Sequence, residues 1–116
     1  MTRDPSIEES FSWFLTALGR YDPKHLDKND EELLYIILEE LDIEAISFLH
    51  KQTVDQLMEH KLIPADISDL VEDLRIKTLS VIEKTKTASE IRSKDHWLGL
   101  RQLAATIMTK INSHRN

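Results

Sequence analysis

The sequence predicts an all-α fold, a single domain over residues 1–116 built as a compact bundle of about five or six helices, some short. Apolar residues recur at three- and four-residue spacing along most of the chain, the signature of helices with one buried face. Only two glycines and three prolines occur in 116 residues, with few Val or Thr runs that would favour sheet. Hydrophobic and charged contents of 41% and 31% suit a globular chain and argue against disorder. A chain of this length buries about two-thirds of its unfolded surface, enough for one core.

Asp4-Pro5 is a suitable helix start, since Asp caps and Pro fits the first helical position. Ile7, Phe11, Phe14, Leu15 and Leu18 then form a stripe that ends at Gly19. Trp13 lies off the stripe, half exposed or set against another element. Asp22-Pro23 predicts a single helical turn in the connection that follows. Asn29 or Asp30 then caps the next helix, Asp30–Glu44, whose early acids suit the positive end of the helix dipole.

Wound at 100° per residue, that helix places Leu33, Leu34, Ile37, Leu38 and Leu41 on an inward face. Glu32, Tyr35, Glu39 and Asp42 fall together on the opposite one. A break or bend is expected at Asp42, then a short helix to His50 with Ile43, Ile46, Phe48 and Leu49 inward. Thr53 and Gln56 have capping-box spacing for a helix over 54–61, with Leu57, Met58 and Leu62 as its apolar side. Pro64 stops it or opens the next.

Ile67, Leu70, Val71, Leu74, Thr78, Val81 and Ile82 define the longest pattern, over 65–85, with Asp66, Asp69 and Asp73 as a second acidic line. Residues 84–89 read as a polar linker. Ser89 or Asp95 caps the last helix, which carries Trp97, Leu100, Leu103, Ala104, Ile107, Met108 and Ile111 on one face. Gly99 inside it suggests a close helix–helix approach, and the tail 112–116 is expected to fray. His50 and His60 fit the C-terminal dipoles of their helices.

The chain has no cysteine, so disulfide and thiolate chemistry are excluded. No apolar run approaches the roughly 18 residues of a membrane span. MTRDPSIEES carries acids where a signal peptide carries a positive charge, so a cytoplasmic location and no membrane partner are expected. The net charge of −6 is uneven, with −11 over residues 27–73 and +6 over 74–116. Such segments either neutralise each other by packing or offer an acidic surface to a basic partner.

No chemistry-bearing motif emerges. The five histidines form no HExxH or paired ExxH arrangement, and two glycines cannot build a phosphate cradle. The reading is therefore of a non-enzyme with no catalytic residues, no metal and no cofactor. Thr53–Lys77 could be drawn as a helix-turn-helix. Its second helix would carry Asp66, Asp69, Glu72 and Asp73 against phosphate, which disfavours direct nucleic-acid binding.

What remains is the face of Tyr35. Acids at the start of this helix suit its dipole, but Glu39, Glu40, Asp42 and Glu44 lie toward the unfavourable end. A tyrosine among carboxylates supplies rigid contact area and electrostatic steering toward a cationic partner. The candidate partner-binding centre is Glu32, Tyr35, Glu39 and Asp42, flanked by Glu40, Glu44, Asp69 and Asp73. The expected function is inhibition of a basic protein by covering its nucleic-acid site. A homodimeric assembly or adaptor domain is the alternative.

In size, lack of cysteine, the EELLYIILEELDIE helix and the C-terminal DHWLGLRQLAATIMTKI, the chain resembles small acidic helical immunity proteins made by bacteria against their nuclease toxins. The resemblance implies one cognate nuclease toxin, tight binding and no catalysis. It departs from the DNase-colicin immunity proteins, which are shorter and have four helices.

Overall fold

The computed structural model describes residues 6–115, with the side chain of Arg115 excepted, and Asp4-Pro5 lies outside them. The described residues form helices and connections, with no strand. Helix α1 (Ile7–Gly19) is capped by Ser6, whose side chain accepts the Glu9 amide. Its stripe buries Phe14, Ala17 and Leu18 and half-buries Ile7, Phe11 and Leu15. Asp22 accepts the Lys24 amide and opens the expected turn, a 3-10 helix at Pro23–Asp27.

The central helix is one continuous rod: α2 (Asp30–Leu34), a π-helical stretch (Tyr35–Glu40) and α3 (Leu41–Ser47). Asn29 caps it. No break occurs at Asp42; the irregularity is the π segment upstream. Leu33, Ile37, Leu41 and Ala45 are all buried at four-residue intervals. In a pure α-helix each such step overshoots a turn by about 40° and the stripe would wind off the core. The wider π turns absorb part of that overshoot.

Helix α4 (Lys51–Glu59) starts earlier than the Thr53 pattern predicts. His50 caps it through Nδ1, which accepts the Gln52 amide at 3.1 Å, so His50 serves an N-terminus and not a C-terminal dipole. Thr53 instead donates to the Ser47 carbonyl at 3.1 Å. The helix ends in a Schellman motif. Lys61 sits at φ 61°, its amide reaches Met58 O, and the Leu62 amide reaches Leu57 O.

Pro64 precedes a 3-10 turn, Ala65–Ile67, that runs into α5 (Ser68–Lys84). Residues 84–89 are not simply a linker into the last helix. A short α6 (Ala88–Ser93) intervenes, started by a Thr87/Glu90 capping box. Helix α7 (Asp95–Arg115) continues through the expected frayed tail, where His114 Nε2 meets the Lys61 carbonyl at 3.1 Å.

Helix α5 packs on α7, α3 and α4, and α1 packs on α3 and α4. One apolar core runs from Phe14 and Leu18 through Leu33, Leu41, Leu57 and Leu74 to Trp97 and Ile107. The polar groups of its Tyr21, Thr78, Thr85 and Trp97 are paired, while His25 Nδ1 at its edge is buried without a partner. Tyr21 Oη and Thr78 Oγ1 lie 2.5 Å apart. Trp97 Nε1 donates to Thr85 Oγ1 at 3.0 Å, and that hydroxyl donates to the Val81 carbonyl at 2.8 Å. Burial pushes the Tyr21 phenol well above its ordinary pKa.

Gly99 mediates no close approach, since a Cβ there meets nothing within 4 Å. No helix among the described residues is long and apolar enough to cross a membrane.

Candidate functional site

The start of the central helix is pinned from behind by Arg92 on α6. Its guanidinium donates to Leu26 O at 3.2 Å, to Lys28 O at 2.9 Å and to Asp30 Oδ1 at 2.6 Å. Further along, Arg20 at the end of α1 grips the same rod. Its Nε donates to Glu44 Oε1 at 2.9 Å and its Nη2 to Glu44 Oε2 at 3.1 Å. Its Nη1 lies 3.1 Å from Glu40 Oε2. The bidentate bond to Glu44 raises the Arg20 pKa, with both carboxylates adding to the effect against partial desolvation.

This grip sets the rotation of α3. Glu44 turns inward and is 7% exposed. Ile43 and Ile46, expected inward, are instead 64% and 54% exposed. Leu49 is buried and Phe48 half-buried, as the spacing predicts. An exposed isoleucine pair beside a buried carboxylate inverts the usual order, and such inversions are more informative than any scattered surface leucine.

The outward side of the rod carries Tyr35, 53% exposed, and Glu39, with Asp42 half-buried. Ile43 and Ile46 follow at i+8 and i+11 from Tyr35, so the five residues make one stripe. Neither Glu39 nor Asp42 forms an ion pair among the described residues. Glu32 is exposed at the start of this stripe, but its carboxylate accepts from Asn29 Nδ2 at 3.0 Å as part of the helix start. At the far end of the rod Trp13 stacks on Phe48, with centroids 5.5 Å apart and planes 14° from parallel.

The flanks divide. Glu44 does not belong to the surface, because Arg20 holds it inside, and Glu40 is tied to the same guanidinium. Asp69 and Asp73 lie on α5 and are exposed, with Asp73 Oδ2 2.9 Å from Lys77 Nζ. The acidic and basic segments also neutralise each other in part, through Arg92–Asp30 at 2.6 Å and Lys110–Asp66 at 3.1 Å. Glu39 and Asp42 on the stripe take no part in this neutralisation.

Among the described residues no group of three or more His, Cys, Asp or Glu is arranged to hold a metal ion. Compared with protein-family models, curated proteins and solved structures, the chain matches none.

Proposed function

We propose that this chain is a protein-binding inhibitor, acting through the outward stripe of the central helix on a basic partner. The observation that carries the reading is the exposure of Tyr35, Ile43 and Ile46 in line with the unpaired Glu39 and Asp42. Three apolar anchors give a desolvated centre, and the acids beside them steer and align a cationic surface. The partner class that fits best is a nuclease-type toxin, whose phosphate-binding site is cationic. The resemblance to immunity proteins supports this, as does the −11 carried by residues 27–73. The expected setting is the bacterial cytoplasm.

The test uses the tagged protein as bait in its native source at low and high salt. Two variants serve as controls, Tyr35→Ala/Glu39→Ala and Ile43→Ser/Ile46→Ser. Wild type should retain one basic nuclease and suppress its activity. Each variant should melt like wild type yet lose about 2 kcal/mol or more of binding, roughly 30-fold. Folded variants that capture and inhibit as well as wild type would remove the stripe from the function.

A further inference from the structure

We propose that the cavity between the end of α1, the turn after it and α7 binds a small carboxylate with a short apolar body, the carboxylate resting on Arg101. This site is separate from the outward stripe and does not depend on its role.

The cavity measures about 280 Å³ and is lined mainly by apolar groups, with Leu18, Ala104, Ala105 and Met108 among them and Arg101 in its wall. That is just below the roughly 300–1,000 Å³ of sites for drug-sized ligands, so the occupant is small.

Arg101 is the charge without an answer. Of the arginines whose side chains are described, Arg20, Arg75 and Arg92 each hold a carboxylate. Arg101 makes one hydrogen bond, from Nη1 to the Ile91 carbonyl at 2.9 Å, and no ion pair. Burial lowers its pKa and no neighbouring acid offsets the effect. This partly buried guanidinium has gained no anion, and its Ile91 bond fixes its orientation. Its Nε and Nη2 form no hydrogen bond to the protein among the described residues, and a carboxylate accepts from such a pair in bidentate fashion.

Asp22 also lines the cavity, but it makes no ion pair with Arg101 and its Oδ1 accepts the Lys24 amide at 2.9 Å. The apolar wall then suits a short hydrocarbon chain and disfavours a second charge.

Hexanoate, hexan-1-ol and hexylamine are the probes, titrated into the full chain and followed by backbone amide shifts. Hexanoate should move Ala104, Ala105 and Met108 and bind at least about ten-fold tighter than the alcohol, the worth of one charge-assisted bond. Arg101→Gln should erase that preference. Ala105→Phe, which leaves Arg101 in place and projects a ring from an exposed position at the cavity, should weaken hexanoate about ten-fold or more. Four results would overturn the proposal: no shift at the cavity, an alcohol bound as tightly as the acid, an amine bound more tightly, or unchanged hexanoate binding in Ala105→Phe. If Arg101→Gln does not fold, the probe series and Ala105→Phe decide the question.

Discussion

Along α7, Trp97, Leu100, Ala104, Ile107 and Ile111 are all buried, and the helix keeps its apolar residues where their spacing puts them. Along α3 the order is reversed: Glu44 is inside while Ile43 and Ile46 face solvent. Both segments belong to one core and both are amphipathic by sequence. A distant partner contributes to the difference: Arg20 lies 24 residues before Glu44 and offers it two hydrogen bonds, on a rod whose inner face also carries Leu41 and Ala45. A buried ion pair is weak evidence for stability, because desolvation offsets much of its attraction. What the pair does here is hold a carboxylate on the inner side of a helix whose two isoleucines face outward.

The same substitution should separate the two helices most sharply. Ile107 is 0% exposed, and Ile107→Ala should cost about 2–5 kcal/mol in urea unfolding. Ile46→Ala should stay within about 0.5 kcal/mol. Equal costs would mean that α3 is rotated inward in solution.

Arg20→Met attacks the cause of the inversion. It leaves Glu44 without its partner and should cost about 2–3 kcal/mol, less than the roughly 3–5 of a fully buried pair because the Arg20 side chain is 22% exposed. The double variant Arg20→Met/Glu44→Leu should recover most of that loss, since apolar packing often replaces such a pair at no net cost. A double variant as unstable as the single one would show that the carboxylate was not the problem.

Within the orderly helix the effect should be smaller and of opposite sign. Gly99→Ala adds a methyl group into open space. Relief of glycine's backbone entropy in a helix interior should stabilise the protein by about 0.5–1 kcal/mol, read as a rise in melting temperature. A drop would mean that something closes on Gly99 in solution.

Local sequence pattern accounts for one side of this contrast and only part of the other. The stripes of α1, α5 and α7 were legible because their residues answer to nearest-turn spacing alone. So was the outward placement of Tyr35 and Glu39, since they lie opposite Leu33, Ile37 and Leu41. Ile43 and Ile46 were not, because a break expected at Asp42 restarts the pattern there, and because a distant partner holds Glu44 on the inner side. That partner, Arg20, is invisible to local pattern.

The π segment was hidden for a similar reason, as its role is to hold Leu33 to Ala45 against a core that only the fold defines. Capping signals cut both ways. Thr87 and Glu90 have the box spacing that starts α6, which the reading of 84–89 as a linker misses, whereas Thr53 and Gln56 have the spacing but Thr53 gives its hydroxyl to Ser47. Lys61 holds a left-handed position usually given to glycine, so no residue type announced that turn.

The most direct test of the docking stripe places a photo-activatable cross-linking residue at Ile46, with Ser80 on α5 as an exposed control. Docking through the stripe means that Ile46 cross-links one basic protein in the native source and Ser80 does not. Cross-links from Ser80 alone, or a second copy of this chain captured at Ile46, would contradict it.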